Sequence, residues 1–281
     1  MKGESLVPSG SLDEIGPITG YSRSCLSTHL YLEKHRLLLD AGPLTCYTRD
    51  AVEATTILIT HLHHDHWTGL ISLLGLKKCR DHFDPVHVYA PRSSFWFLKS
   101  LLMELKYRRV LSILLSPDPE SLGPLENRVP VALHPLDVDE TIDAGDGMQI
   151  STFNSSHSCE GLGFKLSTKR DGEEGWTRLL TYTGDTSIEA LDEDVLSSPV
   201  LITECTYLES DKNQRAIERG HMSLDNIVDV ESRFKGQNIL LMHFKGNYKE
   251  DEIRKAIGSR EFSRLRPDAI CTDISDARRT S

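Results

Sequence analysis

An apolar run, Thr56-Ile57-Leu58-Ile59, is followed at once by Thr60-His61-Leu62-His63-His64-Asp65-His66-Trp67. The run is rich in β-branched residues and reads as a buried strand over Thr55 to Thr60, so the polar cluster sits on the loop leaving it. His61 and His63 alternate by two, as neighbouring ligands on extended chain can. Asp65 and His66 fall where the chain turns into the next helix. Imidazole and carboxylate suit zinc and related divalent ions, so a chain carrying this loop must fold in a way that brings further ligands to it. We read it as the first half of a two-metal site.

The missing ligands are expected at other strand ends, because a site is most rigid where several strands deliver side chains to one edge. Three positions meet that test: His157 after the strand ending near Phe153, Asp185 in Tyr182-Thr183-Gly184-Asp185-Thr186, and His243 directly after Leu240-Leu241-Met242. His221, in Arg219-Gly220-His221-Met222-Ser223, competes with His243 but precedes a helix, so His243 is preferred as the ligand. His64 reads as solvent-facing. His29, His35, His82, His87 and His134 have no comparable context.

Along the chain, residues 1–20 show little periodicity. Leu26 to Leu32 and Arg36 to Asp40 read as a hairpin, and Asp40 either points into a site or forms a turn. Gly69 to Gly75 predicts a short helix closing at Gly75, Val86 to Tyr89 a strand, and Arg92 to Leu105 a helix with an apolar stripe. The proline-rich stretch Pro117 to Pro130 reads as a loop and a subsidiary boundary. Strands follow at Val131 to Leu136, Met148 to Phe153, Leu162 to Ser167 and Arg178 to Tyr182, with a hairpin turn over Lys169 to Gly175. Val200 to Thr203 and Ile239 to Met242 are buried strands, each followed by a helical pattern, one helix lying within Ile217 to Phe234 and the other over Asp251 to Ile257. This is an α/β chain, and with no repeat or long linker residues 1–281 read as a single domain of stacked sheets with helices outside.

Composition narrows function. A formal charge of −10 over 281 residues disfavours indiscriminate coating of nucleic acid, although Lys77, Lys78 and Arg80, and later Lys99, Lys106, Arg108 and Arg109, form local basic clusters. Six scattered cysteines suit reduced thiols and argue against a cysteine-built zinc site. No signal peptide or membrane span is expected, which places the protein in the cytoplasm.

On these ligand motifs the chain resembles the metallo-β-lactamase superfamily, over roughly Gly20 to Tyr248. The resemblance implies a four-layer αββα sandwich with two divalent metals at one end of its paired sheets, zinc first, with manganese or iron as substitutes. Carried over, His61, His63 and His157 would hold one metal, Asp65, His66 and His243 the second, and Asp185 would bridge them. Arg23-Ser24-Cys25-Leu26-Ser27, Gly69-Leu70-Ile71-Ser72-Leu73-Leu74, Glu204-Cys205-Thr206-Tyr207-Leu208 and Gly220-His221-Met222-Ser223 resemble ribonuclease Z in particular.

That resemblance implies an endoribonuclease cleaving 3′ trailers from precursor tRNA, and a homodimer that could use the Phe95 to Leu105 stripe unless it packs in the core. Two cations lower the pKa of a shared water and stabilise charge on phosphoryl oxygens. Asp65 is the expected proton acceptor, and His221, oriented by Glu204, the expected donor to the leaving 3′ oxygen. Two departures bear on the substrate. The tRNA-gripping arm that the family inserts between His157 and Asp185 is replaced by a short hairpin, and His243-Phe244-Lys245-Gly246-Asn247-Tyr248 lacks the family's Ser and Arg. The alternatives are a phosphodiesterase for cyclic nucleotides or other small diesters, and a non-catalytic binding protein of the same fold.

Overall fold

The apolar strands bury both faces, and alternation along them sorts side chains between layers. In Leu37-Leu38-Leu39, the outer two leucines enter one hydrophobic cluster and Leu38 another. Val200 and Ile202 share the first cluster while Leu201 enters a third, and Leu240 and Met242 part from Ile239 and Leu241 in the same way. Three stacked clusters require two sheets between two helical layers.

The computed structural model describes residues 14–122, 127–145, 147–169, 175–236, 238–260, 262 and 268–269. Its strands are β1 (Ile18–Ser24), β2 (Ser27–Leu32), β3 (Leu37–Leu39), β4 (Thr56–Leu58), β5 (Val86–Pro91), β6 (Ile113–Leu115), β7 (Val129–Leu136), β8 (Thr141–Gly145), β9 (Met148–Asn154), β10 (Leu162–Lys169), β11 (Trp176–Tyr182), β12 (Val200–Glu204), β13 (Asn238–Met242), β14 (Phe244–Lys245) and β15 (Asp268–Ala269). The α-helices are α1 (His64–Trp67), α2 (Gly69–Cys79), α3 (Arg92–Tyr107), α4 (Asn213–Glu218), α5 (Leu224–Val230) and α6 (Glu250–Gly258). One sheet runs β14-β1-β2-β3-β4-β5-β7-β6, the other β15-β13-β12-β11-β10-β9-β8.

Leu30, Leu39 and Leu58 of the first sheet meet Phe164, Tyr182 and Ile202 of the second in the central cluster. Leu70, Leu73, Leu98 and Leu102 of α2 and α3 cover the outer face of the first sheet. Leu224, Ile227, Ile253 and Ile257 of α5 and α6 cover that of the second. The expected αββα order is therefore the observed one. Truncating a fully buried member such as Leu39 to alanine would cost about 2–5 kcal/mol.

Strand direction sets where the site falls. β3 and β4 pair in parallel, as do β11, β12 and β13, so their C-terminal ends reach a common edge within each sheet. The chain leaving β4, β11 and β13 at those edges carries His61, Asp185 and His243.

Several boundaries differ from expectation for local reasons. Helix α2 does not close at Gly75 but continues to Cys79, because Lys77 lies in the interior with Nζ donating to Val52 O (2.6 Å) and Ala54 O (2.8 Å). The helix expected within Ile217 to Phe234 is α5, which starts only after Gly220 takes φ +67° and Ser223 forms a capping box with Asn226. The proline-rich stretch is no boundary between layers, since β6 and β7 on either side of it pair in the same sheet; its residues 123–126 lie outside those described. β1, β6, β8, β14 and β15 lie where no strand was expected. The expected turn over Lys169 to Gly175 falls largely outside the described residues, although β10 and β11 pair down to Lys169 and Trp176.

Candidate metal centre

The first-sheet ligand loop is fixed from behind by Asp40. This residue follows β3 with φ +57° and no exposed surface. Its carboxylate accepts from the Thr60 backbone N–H (2.8 Å), the Thr60 hydroxyl (3.0 Å), His66 Nδ1 (2.8 Å) and the Tyr182 hydroxyl (2.6 Å). Of the two roles left open for Asp40, pointing into the site is the observed one.

A threonine hydroxyl has one hydrogen to give. Thr60 gives its hydrogen to Asp40, so toward His61 Nδ1, 2.9 Å away, the hydroxyl accepts. His61 therefore donates through Nδ1 and keeps the Nε2 lone pair for the centre. The second sheet repeats the device: the Thr206 hydroxyl donates to Glu204 Oε2 (2.7 Å) and accepts from His243 Nδ1 (3.1 Å). His157 donates through Nδ1 to the Gly220 carbonyl at 2.8 Å. Tautomers are thus set by partners outside the centre, the arrangement that orients metal-binding histidines.

Asp185 occupies the middle. Oδ1 is 3.3 Å from His66 Nε2, and Oδ2 is 3.3 Å from His243 Nε2, 3.7 Å from His61 Nε2 and 3.8 Å from His157 Nε2. Asp65 Oδ2 lies 3.3 Å from His243 Nε2 and accepts the Cys25 backbone N–H at 2.7 Å. His63 Nδ1 is 3.1 Å from His157 Nε2.

Among the described residues, the donor groupings compatible with a cation include His61 with His63, His157 and Cys159, His61 with His66 and Asp185, and Asp65 with His66 and His243. His61 Nε2, His66 Nε2 and Asp185 Oδ1 are buried polar atoms with no hydrogen-bond partner. Orphaned donors of this kind, converging from both sheets, fit a divalent cation. His64 points outward, as expected, with Nε2 donating to Cys25 O at 3.1 Å.

Charge in the cluster follows from burial and neighbours. Burial and then the adjacent His66 ring push His61 well below the ordinary histidine range. For His66, burial is outweighed by the Asp185 and Asp40 carboxylates on either side, which raise it well above that range. Asp185 is fully buried, yet the surrounding imidazoles, His243 foremost, hold it well below ordinary carboxylates.

At the rim, His221 Nδ1 donates to Glu204 Oε1 at 2.6 Å. Burial opposes the imidazolium, but the Glu204 charge prevails and raises the ring from 6.5 to about 9. Glu204 has no exposed surface and also accepts from the Thr186 and Thr206 backbone N–H groups. The His221 ring lies 4.8 Å from that of His157 and 5.6 Å from that of His243.

All seven expected ligands, with Glu204 and His221, come to one edge. Sequence reasoning missed Thr60, Thr206, Tyr182 and the Gly220 carbonyl. A hydroxyl immediately before His61, and another two residues after Glu204, were the available signals.

Imidazoles and carboxylates gathered at the shared edge of an αββα sandwich define a metal-dependent hydrolase. The chain belongs to the beta-lactamase superfamily domain family, whose model matches residues 35–244. Among similar proteins is the chloroplastic tRNase Z TRZ2 of Arabidopsis thaliana, 25% identical over 269 residues, or 85% of this chain and 70% of that protein. The crystal structure of human tRNase Z, short form, superposes with TM-score 0.60 at 17% identity, covering 90% of this chain and 96% of that one. A diphosphatase from the PhnP family gives TM-score 0.56 at 16% identity, covering 86% and 80%. No described helix is long and apolar enough to cross a membrane.

Proposed function

We propose that the chain is a dinuclear phosphodiesterase of the ribonuclease Z kind, an endoribonuclease that removes 3′ trailers from precursor tRNA. In this reading His61, His63 and His157 would hold one divalent cation, Asp65, His66 and His243 would hold the other, and Asp185 would serve both, with zinc the first choice. Cations bound there would supply an activated water and neutralise charge on the phosphoryl oxygens.

The observation that carries the reading is the Glu204–His221 pair beside this donor set. With Nδ1 committed to Glu204, whose charge raises the ring to about 9, a protonated His221 has only Nε2–H to offer. This suits donation to a departing 3′ oxygen, a poor leaving group unless protonated. Asp65, with one oxygen steadied by the Cys25 N–H, receives the proton of the attacking water. Relatives named tRNase Z support the same substrate.

A second reading, hydrolysis of cyclic nucleotides or other small diesters, is favoured by the short hairpin of β10 and β11 standing where a tRNA-gripping arm would be. Zinc- or manganese-loaded protein incubated with precursor tRNA and, separately, with cyclic nucleotides separates the two. Trailer release leaving a 3′-hydroxyl supports the first. Turnover of cyclic nucleotides alone removes the tRNA assignment.

A further inference from the structure

Cys159 lies two residues beyond His157, on the stretch leading into β10, and no role in hydrolysis calls for it. Its sulfur and one ring nitrogen each of His61, His63 and His157 all lie within 4.8 Å of one another. A tetrahedral zinc with bonds of about 2.0–2.1 Å to nitrogen and about 2.3 Å to sulfur needs its donors only about 3.5 Å apart, so small side-chain adjustments close the set. Independently, His61 is 1% exposed and its Nε2, which faces this cluster, has no hydrogen-bond partner.

We infer that Cys159 is the fourth protein ligand to the cation held by His61, His63 and His157, taking there the place given above to Asp185, which then serves the second cation alone, and making that position a closed three-imidazole, one-thiolate centre. The inference rests on the reading of this edge as a two-cation site. On binding, the S–H bond breaks, a sulfur–metal bond forms, and the proton leaves to solvent. Four protein donors mark a holding centre, whereas an open position marks a working one. The two positions are therefore unequal, with the open position left at the buried Asp65, His66 and His243 set. A soft thiolate also biases the closed centre toward zinc and cobalt over manganese or magnesium.

The experiment is cobalt substitution of the full chain, with bound cobalt counted by elemental analysis and the spectrum recorded. A near-ultraviolet thiolate-to-cobalt charge-transfer band is expected. It should vanish in Cys159→Ala and persist in Cys25→Ala, the control for the other cysteine near Asp65. Cobalt bound without the band, or a band that survives Cys159→Ala, overturns the thiolate ligand and leaves the two-cation reading standing. No bound cobalt overturns both. Should Cys159→Ala not fold, alkylation of the parent chain by iodoacetamide, read by peptide mass spectrometry, decides the matter. Protection of Cys159 by zinc, lost on stripping, supports ligation, and equal labelling in both forms refutes it.

Discussion

His221 Nδ1 stands 2.6 Å from Oε1 of Glu204, and that carboxylate has no exposed surface. The second oxygen of the same carboxylate receives the Thr206 hydroxyl, which in turn orients His243. One buried acid thus steadies the expected proton donor and one expected metal ligand.

The division of labour is measurable through the leaving group. A nitrophenolate departs without protonation, whereas a ribose 3′ oxygen does not. His221→Ala should lower kcat on RNA about 100-fold or more while changing turnover of bis(p-nitrophenyl) phosphate far less, with metal content unchanged. Equal losses on both substrates would remove His221 from the proton-donating role.

Thr60 and Thr206 should matter through their hydrogens. Thr60→Val preserves shape but leaves His61 Nδ1 without its acceptor, and cation affinity should fall about 10–100-fold by chelator competition. Thr60→Ser should stay near the parent. If valine and serine behave alike, the hydroxyl does not set the ring.

Cation binding should stabilise the whole fold, because donors come from both sheets. Saturating zinc at about 1,000 times its dissociation constant adds about 4 kcal/mol, seen as a higher melting temperature than in chelator-stripped protein. An unchanged melting curve would count against a centre spanning the sheets.

Lys77 gives a pH signature remote from the site. Burial lowers its pKa from 10.5 to about 8, so between those values the unfolded chain holds a proton that the folded chain has released. Stability should therefore rise as pH climbs from about 8 toward 10.5, by at most about 3 kcal/mol. Lys77→Met should lose that slope in denaturant titrations while leaving the Val52 and Ala54 carbonyls without their donor. A slope unchanged by the substitution would contradict the assignment.

The layers and the residues that gather at the shared edge were legible in the sequence because both depend on short patterns: apolar runs with period two, and histidines or aspartates at the ends of those runs. Elements held by contacts distant in sequence were not legible. β1 lies in a segment with little periodicity and is defined by pairing with β2. Lys77 looked like surface charge because nothing local announces the carbonyls of Val52 and Ala54.

The donor set is interleaved along the chain: His61 to His66 come early, and His243 follows only after β13 has joined β12. A chain cut or stalled anywhere before Met242 can own most of the histidines yet lacks one face of the centre. With the ligand set proposed above, full occupancy by metal would report that the chain has been made through His243.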